Sequence, residues 1–581
     1  MREEAFPLLL DGPALLGGVP PAWLFFAGAL LVTLLRGEGR GLLRRAVMVA
    51  TPVVGLVNLV TIAPGTSFVF DVLDLELVQL RADRLSLLFG LLFHIGAFLG
   101  AIYALRTRDT LQNVAALVYG GSALGAVFAG DLLTLFCYWE GMAVSSALLV
   151  WSRRTPESNG AGVRYLALHL ASGLLLLAGA LLIYRATGDI AFDRIGTDGT
   201  AGWLILAAFG IKCGFPLVHN WITDAYPQST PSGTVFLSMF TTKVAVYALA
   251  RGFSGTEILV PIGTLMAVFP IFYAVIENDL RRVLGYSMIN QIGFMVAGVG
   301  IGTELALNGA VAHAFNEVLF KGLLFMTMGA VLLRVGHVLG SDLGGLYRSM
   351  PWTAAFCVVG AASISAFPLF SGFVSKSMIM AAMVEAGHDW LWLALLFASA
   401  GVFHHAGIKI PYFAFFAHDS GLRIREAPRS MRVAMGLAAA GCLLVGLFPN
   451  ALYALLPWQT DYVPYTYPHV VAQLQLLLFS ALAFAWLQLS GIYPAELRSV
   501  NLDADWLYRR AGRRAADALH AALGAGAEAA RDAARAASQP LALLVGPRGL
   551  LAGPIGTGTA ALLASLLLAG YLLLYYVGNG G

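Results

Sequence analysis

Five lysines carry the most informative chemistry in this sequence: Lys212, Lys243, Lys321, Lys376 and Lys409. Each lies inside an apolar run, whereas the other basic residues are arginines and most of them lie between such runs. A desolvated lysine can give up its proton near neutral pH, but an arginine cannot. This division predicts a membrane protein that moves protons through its lysines. Buried amines that only pair with their neighbours are the alternative.

Glu140 is a lone carboxylate in the apolar stretch 132–150. A carboxylate in such surroundings needs a partner or stays protonated. We expect Lys212 to be this partner, so that their attraction keeps both groups charged and protonation of Glu140 drives the lysine proton onward. A neutral, hydrogen-bonded glutamic acid is the alternative.

Three ionisable residues, His313, Glu317 and Lys321, are spaced four apart. On an α-helix this spacing places them on nearly one face, as a ladder about 12 Å long. Such a ladder could relay a proton through side chains and water. A polar helix seam that only pairs with its neighbours is the alternative.

Four further residues are secondary candidates. His404, His405 and Lys409 form a similar ionisable group later in the chain, and His219 follows the first proline break.

Prolines interrupt two of the lysine-bearing apolar segments. The motif Phe215–Leu217 (Phe-Pro-Leu) follows Lys212, and the same motif at Phe367–Leu369 precedes Lys376. A proline frees backbone groups at membrane depth, which is tolerated where the chain lines an enclosed or hydrated path. Two such spans predict an internal duplication around a transport site, and kinks that serve packing alone are the alternative.

The elements that must position these residues are apolar helices. The chain has 581 residues, of which 58% are hydrophobic and 12% charged, so we predict an all-α polytopic membrane protein. About sixteen spans are expected near 15–35, 46–63, 85–105, 111–130, 132–151, 163–184, 202–221, 233–251, 258–276, 283–301, 305–333, 352–382, 390–417, 431–456, 469–491 and 555–577.

The loops predict how the chain is oriented in the membrane, and the C-terminal region predicts a helix of a different kind. Arginine-rich loops alternate with arginine-poor ones, which places the N-terminus outside by the positive-inside rule. Residues 502–539 are rich in Ala and Arg and predict an amphipathic helix on the membrane surface. A solvated linker helix is the alternative.

No motif in the sequence points to a bound group. The four cysteines stand singly, and there is no Walker, CxxCH or HExxH motif. We therefore expect no cofactor and no metal in this chain, and no nucleic-acid partner.

Several segments resemble a known family, the antiporter-like subunits shared by respiratory complex I, membrane-bound hydrogenases and Mrp-type Na⁺/H⁺ antiporters. The resemblance is strongest to the D-type subunit of Mrp antiporters. It is carried by residues 224–227 with Pro231, 242–249, 278–287, 291–294, 321–325, and 371–373 with Lys376.

The resemblance implies two inverted five-helix repeats, each with a broken helix, and a hydrated polar axis along the membrane midplane. It implies that Glu140, Lys212, Lys243, His313, Lys321 and Lys376 are the functional residues. Glu317 stands where the family often has a second histidine, so the relay here would use a carboxylate. The expected regions are 1–110 (N-terminal spans), 111–252 and 253–420 (the repeats), 421–500 (C-terminal core helices), 501–540 (the surface helix) and 541–581 (a final span).

The resemblance implies a proton-translocating subunit of a multisubunit membrane complex, most similar to a cation/proton antiporter of Mrp type. Alternatives are a proton-pumping subunit of a complex I or hydrogenase-type complex, a subunit that energises uptake of another solute such as inorganic carbon, and a non-conducting scaffold. The chain would at most be the translocating part of an NADH:quinone oxidoreductase-like enzyme. Its expected partners are other membrane subunits, protons, Na⁺ or another monovalent cation, and lipid. Its expected location is a bacterial or archaeal cytoplasmic membrane.

Overall fold

A computed structural model describes residues 18–37, 39–72, 75–494, 496–498, 501–545 and 556–578. The chain divides into two compact units, residues 1–502 and residues 503–581. Both consist mainly of helices, which confirms the predicted all-α membrane fold class.

Nineteen helices of the described residues form the first unit. The first ten are α1 (Pro21–Leu34), α2 (Gly41–Leu59), α3 (Arg84–Tyr103), α4 (Thr110–Phe128), α5 (Leu132–Trp151), α6 (Pro156–Thr187), α7 (Thr200–Cys213), α8 (Asn220–Gln228), α9 (Pro231–Met239) and α10 (Thr241–Gly252). The rest are α11 (Leu259–Ile276), α12 (Leu280–Ile301), α13 (Glu304–Val335), α14 (Pro351–Ile364), α15 (Ser371–Glu385), α16 (Asp389–Val402), α17 (Arg429–Leu447), α18 (Pro449–Tyr453) and α19 (Tyr467–Leu489).

Within the described residues, 12 helices are long and apolar enough to cross a membrane. Shorter apolar helices include α1, α7 and α14. The chain is therefore a multi-pass membrane protein, as predicted, while the total of sixteen spans stays a prediction.

A short antiparallel sheet was not predicted from the sequence. Strands β1 (Gly65–Val72) and β2 (Leu75–Ala82) pair in the register Gly65↔Ala82 to Val72↔Leu75. The Val78 amide donates to Asp131 Oδ2 at 2.7 Å, and Asp131 also caps α5. The hairpin is therefore fastened to the start of the helix that carries Glu140.

Both Phe-Pro-Leu motifs break their helices as predicted, and the two breaks have the same backbone signature. In the first, Gly214 and Leu217 have φ of 79° and 74°; in the second, Ala366 and Leu369 have φ of 56° and 75°. Flanking lengths also correspond, since α7 and α14 each have 14 residues and α6 and α13 each have 32. These features support the internal duplication, which stays a prediction together with the region boundaries.

Helix α13 is the central element of the first unit. It packs against α9, α12, α14, α15 and α17, and nearly all of its residues are buried. Its side chains therefore contact elements before and after it in the chain.

The segment after α16 differs from the expected α-helix. Residues Phe403–Lys409 and Tyr412–Phe416 form two π-helical segments. A π-helix has a wider turn than an α-helix, so the side chains of His404, His405 and Lys409 point in directions that an α-helix would not give them.

The second unit contains α20 (Asp505–Val545) and α21 (Thr557–Gly578). Helix α20 is rich in Ala and Arg, and α21 is apolar. Both helices are present where the sequence predicts them. The location of α20 on a membrane surface stays a prediction.

Candidate functional site

A buried ion pair joins α10 to α13. Lys243 Nζ lies 2.7 Å from Glu317 Oε2, and both side chains have 0% exposure. The amine also donates to the Ser238 carbonyl at 2.9 Å and to Thr242 Oγ1 at 3.2 Å. The Ser238 carbonyl is available because the helix is interrupted at Phe240, between α9 and α10. A buried charge is costly unless it is paired in this way.

The predicted ladder lies on one continuous helix. His313, Glu317 and Lys321 are all on α13 and are fully buried. Lys321 Nζ donates to Ser287 Oγ of α12 at 2.9 Å. Glu317 interacts electrostatically with Lys321 as well as with Lys243. One carboxylate thus has two amines nearby, Lys243 on α10 and Lys321 on its own helix.

The His313 ring connects α13 to two other helices. Its Nε2 lies 3.1 Å from Gln291 Oε1 and its Nδ1 lies 3.0 Å from Ser375 Oγ. An amide oxygen only accepts hydrogen bonds, so Nε2 carries a hydrogen and, in the neutral ring, Nδ1 accepts from Ser375. The ring therefore has one donor and one acceptor position, which a proton relay requires.

Lys212 and Glu140 lie close together, but the lysine's hydrogen bond goes elsewhere. Lys212 Nζ donates to the Trp139 carbonyl at 2.6 Å and lies 4.3 Å from the centre of the Trp139 ring. Glu140 and Lys212 interact electrostatically. Glu140 Oε1 is buried without a hydrogen-bond partner and packs on Gly173, where a Cβ would lie 1.6 Å from it. The expected partnership is therefore electrostatic, with the neighbouring carbonyl as the direct acceptor.

His169 of α6 lies close to this group, although nothing in the sequence marks it as a functional residue. It has 0% exposure and lies between the rings of Tyr165 and Trp221, at 4.1 and 4.6 Å. Neither ring nitrogen has a hydrogen-bond partner, and the ring interacts electrostatically with Lys212. A single histidine in an apolar run offers no spacing signal, so only the fold reveals this proximity.

Helix α7, which ends with Lys212 and Cys213, packs against α10, which carries Lys243. Cys213, the residue after Lys212, lies within electrostatic reach of the Lys243 amine. The first broken helix therefore meets the ion pair at its C-terminal end.

Lys376 lies just beyond the second break, at the edge of a cavity. Its amine donates to the Ile364 carbonyl at 3.3 Å and lies 4.9 Å from the centre of the Phe294 ring. It interacts electrostatically with His313 and Lys321. The cavity has a volume of about 650 Å³, and its polar lining includes Lys376, Ser377, Glu385, His469 and Gln473.

Lys409 is held by backbone groups. Its amine donates to the carbonyls of Ala274, Val275 and Glu277 at 3.2, 2.6 and 2.7 Å, and lies 2.9 Å from Glu496 Oε1. These contacts satisfy the carbonyls at the C-terminal end of α11. Helix capping accounts for this lysine.

The three secondary histidines lie in different surroundings. His405 is fully buried and interacts electrostatically with Lys321. His404 stacks on Tyr493, with ring centres 5.6 Å apart. His219 packs edge-on against Phe269 at 4.7 Å.

No metal centre is evident in the described ranges. Within them, no group of three or more His, Cys, Asp and Glu side chains is arranged to hold a metal ion.

Comparison with known families identifies the central part of the chain. Residues 129–401 match the family model described as "NADH:quinone oxidoreductase/Mrp antiporter, TM". This match confirms the resemblance predicted from the sequence motifs.

The curated relatives come from several kinds of complex. Hydrogenase-4 component B of Escherichia coli is 27% identical over 426 residues, covering 65% of this chain and 63% of the relative. The D-type subunit of the Na⁺/H⁺ antiporter of Alkalihalophilus pseudofirmus is 29% identical, covering 51% and 64%. The N-type subunit of the NADH-quinone oxidoreductase of Desulforudis audaxviator is 29% identical, covering 58% and 75%. Among the first four relatives, the chain spans between 40% and 64% of the relative's length.

Solved structures share the fold. A chain of the Mrp complex from Dietzia has a TM-score of 0.66 at 21% identity, covering 80% of this chain and 98% of that one. A chain of the archaeal membrane-bound sulfane sulfur reductase has a TM-score of 0.69 at 22% identity, covering 96% and 100%. A chain of respiratory complex I from Thermus thermophilus has a TM-score of 0.67 at 20% identity, covering 79% and 99%.

Proposed function

We propose that the chain is a proton-translocating subunit of a multisubunit membrane complex, because residues 129–401 match the NADH:quinone oxidoreductase/Mrp antiporter family model and its curated relatives include antiporter and NADH-quinone oxidoreductase subunits. The observation that carries the proposal is the fully buried Lys243–Glu317 ion pair. Helix α10, which carries Lys243, packs on α7, which carries Lys212, and Lys321 lies four residues after Glu317 on α13.

The pair works as a switch because Glu317 has two competing amines. When Lys321 gains a proton, its charge attracts the Glu317 carboxylate away from Lys243. Lys243, left desolvated and without its counter-charge, then releases its proton more readily. The arrival of a proton at Lys321 on α13 is in this way coupled to the release of a proton from Lys243 on α10.

The groups at the two ends of the proton path take up the proton and release it. Protons enter near Lys212 or Lys243, and Glu140 sets the charge state of Lys212. On α13 the His313 ring takes a proton at one nitrogen and gives one up at the other. Lys376 delivers the proton to the cavity that it lines.

The parent complex is proposed to be a cation/proton antiporter of Mrp type. A complex I or hydrogenase-type respiratory complex, or one that energises uptake of another solute such as inorganic carbon, is the alternative. Other membrane subunits are its proposed partners. We place it in a bacterial or archaeal cytoplasmic membrane with the N-terminus outside, on the arginine asymmetry of the loops. Identification of the proteins that copurify with the chain distinguishes these complexes.

The experiment uses the whole complex reconstituted in liposomes that contain a pH-sensitive dye. Lys243→Met and Glu317→Gln, alone and combined, are compared with the unaltered complex. Each single variant leaves an unpaired buried group and is expected to reduce assembly, which the double variant restores. All three are expected to reduce proton flux by at least about 100-fold.

The rival interpretation, a non-conducting scaffold, makes the opposite prediction. A double variant that assembles fully and retains normal proton flux would overturn the proposed function. Loss of assembly in the double variant, together with normal flux per assembled complex, would support the scaffold.

A further inference from the structure

An open, strongly basic cavity of about 1250 Å³ lies at one end of the first unit, outside the proposed proton path. Four helix ends surround it: α2 and α17 begin there, and α3 and α13 end there. We propose that this cavity binds the phosphate headgroup of an anionic membrane lipid.

The charge of the cavity is unbalanced. Seven arginines line it, from α2, the loop after α3, the end of α13 and the segment that leads into α17. Within the described part of the chain, none of their guanidinium groups forms an ion pair with a carboxylate. Arginine clusters of this kind recognise phosphate through charge and bidentate hydrogen bonds.

The one carboxylate that lines the cavity is engaged elsewhere. Glu426 accepts hydrogen bonds from the Trp352 amide at 2.9 Å, the Thr353 hydroxyl at 2.6 Å and the Ala427 amide at 2.7 Å. It thereby caps the start of α14. The Glu426 carbonyl holds the Arg334 side chain in place, at 3.1 Å from Nε. The cavity is thus built on fixed groups, and its seven guanidinium groups far outweigh the single negative charge of Glu426 among the described lining residues.

Two polar groups of the cavity wall lack partners. Ser430 Oγ and Arg432 Nε are buried and have no hydrogen-bond partner. Both lie in the first turn of α17, where free backbone amides and the helix dipole favour an anion. A phosphate group would supply the missing acceptor oxygens.

The apolar part of the wall indicates a lipid. Leu42, Ala46 and Val49 line the cavity from a single face of α2, and Leu105 adds to them. Only 33% of the α2 span is buried within this chain, so most of the surface of this apolar helix is left uncovered by the rest of the described residues. Apolar side chains that run into the bilayer from a basic cluster match acyl chains below a headgroup. A free phosphate ion would gain nothing from contact with these apolar side chains.

A matched pair of arginines provides the control. Arg425 lines the cavity, whereas Arg423, two residues earlier, lies 2.7 Å from Asp419 in an ion pair. Asp419 is exposed outside the spans, and its hydrogen bond with Arg423 lowers the pKa of the carboxyl group. Substitution of either arginine by glutamine removes the same charge from the same loop.

The test measures lipid retention by the purified complex in native mass spectrometry, after exchange into phosphatidylglycerol or phosphatidylcholine. We expect retention of phosphatidylglycerol only, and a loss of about fivefold for each arginine removed in Arg425→Gln and in Arg425→Gln/Arg432→Gln. Arg423→Gln is expected to retain the lipid like the unaltered complex. Gel filtration of each variant complex is the control that checks whether it remains assembled.

Three results would overturn the proposal. Equal retention of zwitterionic phosphatidylcholine, or unchanged retention in Arg425→Gln/Arg432→Gln, would exclude a site that selects lipids of net negative charge through these arginines. Displacement of phosphatidylglycerol by excess inorganic phosphate would assign the cavity to a free anion. Lipid binding only after other subunits are stripped away would assign it to an acidic segment of a neighbouring protein in the complex.

Discussion

The two halves of the molecule place a lysine beside the same Phe-Pro-Leu break but surround it differently. Lys212 precedes its break, has 0% exposure, and lies against Trp139 with Glu140 nearby. Lys376 follows its break, has 2% exposure, and lines a cavity. Its described hydrogen bond is to a single backbone carbonyl.

This difference indicates different tasks for similar parts. An amine with a carboxylate nearby can be held charged or discharged by that carboxylate. An amine at a cavity can exchange its proton with water. We infer that the first half controls charge and the second half releases protons, with the Lys243–Glu317 pair between them.

The largest expected effect comes from removing each lysine. Lys212→Met and Lys376→Met are both expected to reduce proton flux by about 10,000-fold, the upper end of the range for a positioned proton carrier. The yield of assembled complex should be lower for Lys212→Met than for Lys376→Met. Lys212→Met leaves the Glu140 carboxylate without a counter-charge, whereas Lys376→Met removes an amine that has no carboxylate partner among its described contacts. The measurements are flux in liposomes and yield of the assembled complex.

Glu140→Gln provides the control for this difference. Combined with Lys212→Met, it should restore the yield but not the flux. Equal yields for the two single variants would contradict the proposed difference between the halves.

A smaller effect is expected from the unpartnered histidine of the first half. His169→Leu should reduce proton flux about 100-fold, at the low end for a positioned proton carrier, if the ring passes protons to Lys212. His94 is the matched control, since it is also buried but is bonded to the Gly90 carbonyl at 2.7 Å and lies outside the path. Similar proton flux in His169→Leu and His94→Leu would show that His169 only packs against its neighbours and carries no protons.

The smallest effect tests the equivalence of the two breaks. Leu217 and Leu369 both have positive φ and are 72% and 52% exposed. Glycine should relieve the backbone strain at little cost in packing, so Leu217→Gly and Leu369→Gly should each stabilise the chain by about 1 kcal/mol. Thermal unfolding of the purified complex measures this. A stability change of opposite sign for Leu217→Gly and Leu369→Gly would contradict the structural correspondence of the two breaks.

Much of the fold could be predicted because membrane spans have a strong sequence signal. Apolar runs locate the helices, and the Phe-Pro-Leu motifs locate both breaks, since proline and its neighbours disturb the backbone directly. The ladder on α13 could also be predicted, because the spacing of His313, Glu317 and Lys321 survives in any continuous helix.

Features set by tertiary contacts could not be predicted. The pairing of Lys243 with Glu317 depends on how α10 meets α13, and the proximity of His169 to Lys212 depends on how α6 meets α7. The β1–β2 hairpin stands between apolar helices and is anchored by Asp131, more than 50 residues away in the chain. The π-helical segment at Phe403–Lys409 changes side-chain directions without a recognisable sequence mark.

The most direct test of the account is proton flux through the reconstituted complex that carries Lys243→Arg. Arginine keeps the positive charge opposite Glu317, so assembly should be retained, but it does not release a proton and flux should be lost. Lys409→Arg is the control, since an arginine can also cap α11 and pair with Glu496. Normal flux in the assembled Lys243→Arg complex would contradict the claim that protons pass through this lysine.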